Sequence, residues 1–139
     1  MIEPPYNWIF LKQFDTCEHV RFDFNRHKSV QLEYDQITHE EQSEFLNAVK
    51  SVINKECILI LKNNYPYFTN RKIRHLVAWI PSNTNLNGHA IKKVCSSALG
   101  VGISDLVVFK NDMLSMSIPS MIHWHIFQSP FPGMLTKDG

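Results

Sequence analysis

The sequence predicts one α+β domain: an antiparallel or mixed sheet of about four strands with packed helices, and an N-terminal part that is mostly helical or irregular. Three observations carry that prediction. The length of 139 residues suits a single domain, which at this size can bury about two-thirds of its unfolded surface. Hydrophobic residues make up 44% and charged residues 19%, a balance that argues against disorder. Helical and strand-like segments mix without a strict βαβ rhythm, so helices laid on a sheet are expected.

The elements follow in order. Residues 1–20 open with Pro4-Pro5 and the aromatic stretch Tyr6-Asn7-Trp8-Ile9-Phe10, an arm or short helix against the body. Residues 20–37 read two ways. Val20, Phe22 and Phe24 alternate like a strand that Val30, Leu32 and Tyr34 could answer as a hairpin, whereas Val30, Tyr34 and Ile37 have helical spacing. Thr38 followed by Glu41 is a capping-box pattern, and Phe45, Leu46, Val49, Val52 and Ile53 share one helical face, which predicts a helix over 39–54. Residues 57–61 form an apolar run that reads as a buried strand. Residues 63–67 form a turn by composition. Residues 73–80 alternate as a strand. Asn87 and Gly100 bracket an amphipathic helix over 88–99. Residues 105–110 and 122–127 complete the strands.

Composition narrows function. Net charge is +1, and the basic cluster over 21–28 is interrupted by Asp23, a weak footprint for nucleic acid. Cys17, Cys57 and Cys95 lack CxxC or zinc spacing, so buried free thiols in a reducing compartment are expected, with no disulfide and no closed zinc site. The first residues lack a basic n-region and an apolar h-region, and no window approaches a membrane span. These features predict a cytoplasmic protein with no membrane association. No GxGxxG, P-loop, GxSxG or HExxH motif occurs, and no cofactor is expected.

The most function-like feature is His123-Trp124-His125. On a strand, His123 and His125 share a face with Phe127, opposite the apolar Ile122, Trp124 and Ile126. Two imidazoles about 7 Å apart can bind phosphate, ligate a metal or act as acid and base, since each ordinarily titrates near neutral pH. The plain alternative is a pair of partly exposed histidines on the sheet's wetter side. The pattern partly echoes the His-x-His-x-His strand of histidine-triad nucleotide hydrolases, but Phe127 stands at the third position and no glycine-rich loop precedes it. His125 and His123 are therefore the candidate catalytic residues. His75, on the alternating 73–80 strand, and Lys110, at a strand end, are candidate ligand contacts, with Tyr67 and Trp79 as pocket walls. Each has a plain reading too: a satisfied core histidine, a solvated strand end, or a ring packing a turn or core.

Several segments also resemble, in order, motifs of the fungal N-acetylglucosamine-induced protein 1 family over about residues 60–128. Asn63-Asn64-Tyr65-Pro66-Tyr67 is similar to Asn-Asp-Trp-Pro-Tyr, and His75-Leu76-Val77-Ala78-Trp79 to His-Leu-Val-Val-Trp. Val107-Val108-Phe109-Lys110-Asn111 resembles Val-Val-Trp-Phe-Lys-Asn, and Ser117-Ile118 with His123-Trp124-His125-Ile126 resembles Ser-Val with His-Phe-His-Val. Tyr65 and Asn64 depart from the family's Trp and Asp, and residues 81–104 diverge. The resemblance implies a helix over 26–34 and an inducible link to N-acetylglucosamine, without a known reaction.

Two functions compete. The first is a protein that binds a phosphorylated or sugar-related small molecule, as a sensor or a phosphoester enzyme. The second is a non-enzymatic structural or interaction domain with a protein partner or self-association, such as a component of a larger assembly. A pocket holding both histidines favours the first. A contiguous exposed apolar patch away from them favours the second.

Overall fold

The apolar alternation read from the sequence becomes a four-stranded antiparallel sheet. In the computed structural model, residues 5–53, 57–70, 72–81, 84–112 and 121–129 are described. The elements are α1 (Trp8–Lys12), α2 (Lys28–Asp35), α3 (His39–Ile53), β1 (Leu59–Lys62), β2 (Arg74–Trp79), α4 (Gly88–Leu99), a 3-10 turn (Ile103–Asp105), β3 (Leu106–Phe109) and β4 (His123–Gln128). The strand order is β1-β2-β4-β3, with every pair antiparallel. The histidine strand β4 therefore sits between β2 and β3.

Both faces of this sheet are covered. On one, Leu76, Ala78, Leu106, Val108, Trp124 and Ile126 pack with Ile91 and Cys95 of α4. That helix starts on the Asn87 side chain, which accepts from the Ala90 N–H at 2.9 Å, and stops at Gly100 with φ 69°. The other face is shared. Towards β1, Val77 and Trp79 pack with Val49 and Ile53 of α3. Towards β3, Val107, Phe109 and Phe127 pack with Trp8, Leu11, Val20 and Phe24 of the N-terminal segment. The expectation of a wetter side beneath the histidines is corrected here, because α3 and the N-terminal segment close it.

The ambiguous stretch resolves as a helix only in its second half. Val20 makes an isolated bridge to Asn111, residues 21–27 are irregular, and α2 follows. No hairpin forms, because Phe24 is drawn into the core, stacked on Tyr67 at 4.7 Å and on Phe109 at 5.3 Å between centroids. The capping box ahead of α3 is formed: the Glu41 N–H donates to Thr38 Oγ1 at 3.1 Å and the Thr38 N–H to Glu41 Oε1 at 3.2 Å. Cys95 is buried, but Cys17 and Cys57 are exposed, which corrects the expectation of three buried thiols. Among the described residues, no helix is long and apolar enough to cross a membrane.

Candidate functional site

The pairing of β4 with its neighbours brings the candidate residues together. Register sets His125 opposite Val77 and Phe109, His123 opposite Trp79, and His75 opposite Phe127. These side chains share one face, and the His123 and His125 ring centroids are 5.6 Å apart. His75, His123 and His125 are only 4–5% exposed.

A hydrogen-bond chain runs through His75 and His125. The Tyr67 backbone N–H can only donate, and it does so to His75 Nδ1 at 3.2 Å. His75 therefore carries its proton on Nε2 and donates to His125 Nδ1 at 2.8 Å. His125 in turn carries its proton on Nε2, 3.2 Å from the Tyr67 hydroxyl and 3.3 Å from the Asn111 side-chain amide. That amide also lies 2.9 Å from the Tyr67 hydroxyl, through Nδ2, while its buried Oδ1 has no partner among the described residues. The Tyr67 hydroxyl oxygen thus accepts from the Asn111 Nδ2–H and, at 3.2 Å, from His125 Nε2–H.

His123 is arranged differently. Its Nδ1 lies 2.9 Å from the Met121 carbonyl oxygen, which can only accept, so the proton is on Nδ1 and Nε2 holds a lone pair. Among the described residues Nε2 has no hydrogen-bond partner, yet the sealed unpartnered atoms are Trp8 Nε1 and Asn111 Oδ1. His123 lines the cleft. An imidazole oriented through one nitrogen and open at the other can act as acceptor, general base or nucleophile.

The cleft holds about 260 Å³ between α2, α3 and the sheet. Val77, Trp79, His123 and His125 form its floor. Tyr34, Ile37, Gln42 and Phe45 line the helical wall, and Asn63, Asn64 and Tyr65 the turn opposite. Its charged residues are Arg26, Lys62 and Glu41. Burial sets the charge of the floor. It pushes His75 down to about 3, holds His125 well below the ordinary histidine value and lowers His123. His75 and His123, wherever they protonate, and the standing charge of Arg26 depress His125 further. The three rings are thus neutral at pH 7, and the expectation of titration near neutral pH gives way.

The structure sorts the sequence candidates. His123, His125 and Trp79 meet in the cleft, while His75 and Tyr67 stand behind His125 and hold it. Lys110 does not join them. It follows β3 by one residue, and its Nζ lies 5.5 Å from the Trp124 ring on the α4 face, so its place in the pocket is corrected. Arg26, Asn63 and Asn111 were missed. Arg26 lies in the segment with no settled periodicity, and the two asparagines read as turn and strand-end residues. Ser117 and Ile118 lie outside the described residues. Among the described residues, no group of three or more His, Cys, Asp and Glu is placed to hold a metal ion.

The chain is similar in fold to the crystal structure of HTC1. The two are 13% identical with a TM-score of 0.54, over 91% of this chain and 86% of that one. At that identity the likeness concerns the α+β architecture alone. No family model and no curated protein matches the chain.

Proposed function

We propose that this is a cytoplasmic small-molecule protein whose cleft takes a phosphorylated or sugar-related metabolite, as a binding protein or a phosphoester enzyme. The observation that carries the reading is that His123 lines the cleft with its Nδ1–H fixed on Met121 and its Nε2 lone pair without a partner among the described residues. In binding, that nitrogen accepts a hydroxyl or N–H proton from the ligand. In catalysis, it is the base that draws a proton from an attacking hydroxyl or water. His125 positions the floor and touches the ligand through its ring face. Trp79 and Phe45, at 5.8 Å between centroids, offer apolar surface to a sugar ring or base. The resemblance to the N-acetylglucosamine-induced protein 1 family belongs to the same proposal, since residues of three of its motifs (Asn63 to Tyr65, Trp79, and His123 with His125) line this cleft.

The test is a thermal-shift screen of monosaccharides, nucleosides and their phosphates on the wild type and on His123→Phe, which keeps ring bulk but removes the lone pair. A ligand at a hundredfold its Kd should raise the wild-type Tm by roughly 10 °C. It should leave the variant within about a degree. If nothing shifts the wild type, or every shift survives in His123→Phe, the site is lost and the non-enzymatic interaction domain becomes the better account. The exposed large apolar side chains, among them Ile9, Phe22, Leu32, Phe45 and Val94, come from separate elements and do not by themselves make that case.

A further inference from the structure

We propose that Arg26 is the anion anchor of this cleft: it takes the phosphate of a phosphorylated polyol whose hydroxyl end reaches His123. The inference rests on the cleft being a small-molecule site and adds where the charge goes and which residue takes it.

Arg26 is held in place. Its Nε donates to the Tyr65 carbonyl oxygen at 2.7 Å, and its guanidinium carbon lies 4.1 Å from the Tyr34 ring centroid and 5.5 Å from that of Tyr67. An arginine fixed through Nε and stacked on rings has given up its rotamer freedom before a ligand arrives. Its two terminal nitrogens remain as a fork suited to a phosphate or carboxylate. No acidic partner consumes it among the described residues, where the ion pairs are Arg21 with Asp112 and Lys92 with Asp15. Glu41, the one acid lining the cleft among the described residues, is engaged at the start of α3 by the Thr38 N–H. With Lys62 also lining the cleft, its charged lining is net cationic, which favours an oxyanion near Arg26.

The floor fixes the other end of the ligand. An anion set against the His123 lone pair would meet an acceptor, so the group that goes there must donate a proton. Burial disfavours the protonation that would turn His123 into an anion site. The lone pair at the floor and the guanidinium fork on the wall together select a ligand with a hydroxyl at one end and an oxyanion at the other.

The experiment uses the full chain and inorganic phosphate as probe, followed by the 31P shift and by Tm against chloride at equal ionic strength. Phosphate should bind the wild type in the millimolar range, and Arg26→Gln should weaken it at least tenfold. If Arg26→Gln fails to fold by circular dichroism, Arg26→Lys carries the test. It keeps the charge but loses the fork, and should weaken phosphate threefold or more. No phosphate binding, or equal binding in the folded variant, overturns the anchor. A neutral sugar that stabilises the wild type through His123 under those conditions would overturn the anchor alone and leave the cleft reading standing. Loss of both responses overturns both.

Discussion

His123 and His125 stand two residues apart, face the same way and do different work. Both His125 nitrogens are committed within the buried chain of His75, Tyr67 and Asn111, whereas His123 commits only Nδ1. Substitution should separate them. His125→Phe fits the ring space but removes the acceptor of the His75 Nε2–H, which keeps only the Asn63 amide at 3.4 Å, and takes a donor from the Tyr67 hydroxyl. Buried unsatisfied groups cost about 1–3 kcal/mol each, so a loss of roughly 2–4 kcal/mol is expected. His123→Phe strands one backbone carbonyl and should cost about 1 kcal/mol. Urea unfolding of both variants checks the order, and a larger loss for His123→Phe would mean the chain has been read the wrong way round. The sequence put both residues on one face, because period-two alternation is local. It could not divide their roles, because His75 and Asn111 reach His125 only through tertiary pairing, and the Met121 carbonyl reaches His123 through local backbone geometry that no side-chain pattern encodes.

At the level of elements, local signals were legible and long-range covering was not. The helix expected over 88–99 is α4, from Gly88 to Leu99, and the strands at 73–80, 105–110 and 122–127 shift by about a residue. The capping box and the αL glycine are short-range chemistry and form as read. What covers the histidine face depends on α3 and on the segment ending at Phe24, which no periodicity in β4 reveals. Arg26 escaped notice for that reason, and Lys110 was misplaced because a strand end does not announce its side. Gly88 shows another non-local constraint. A Cβ there would lie 2.1 Å from the Thr16 carbonyl oxygen, so the start of α4 touches backbone that cannot yield cheaply. Gly88→Ala should therefore destabilise by about 2 kcal/mol or more, although alanine is the better helix former by about 1 kcal/mol. At Gly100 nothing lies within 4 Å of a Cβ and only the left-handed φ of 69° is costly. Gly100→Ala should lose about 1 kcal/mol. Calorimetry on the pair tests this, and a Gly88→Ala protein as stable as the wild type would remove the close approach.

For the whole molecule, the buried histidines tie stability to pH. His75, at about 3, lies below the ordinary histidine value of about 6.5, with His125 well below and His123 lower, chiefly because burial disfavours the charged ring. They are packed among Arg26, Tyr67, Trp79 and one another, with Glu41 and Lys62 at the cleft. The unfolded rings bind protons near pH 6.5, whereas the folded rings bind them only at lower pH, His75 not until about 3. Between those limits the unfolded state holds more protons, so stability rises with pH there. The contribution is fully present above about pH 6.5 and is lost as pH falls towards 3. A ring that stays neutral through this window adds up to about 1.4 kcal/mol per pH unit, and His75, at about 3, does so over most of it. Urea midpoints at pH 7.5, 6.5 and 5.5 should fall little over the first step and steeply over the second. His75→Gln removes one titrating ring, so its stability should decline with a shallower slope even if its neutral-pH stability is lower. A wild-type midpoint that stays level from pH 7.5 to 5 would show that the rings are not held neutral, and would return the histidine pair to the anion-binding role that Arg26 takes here.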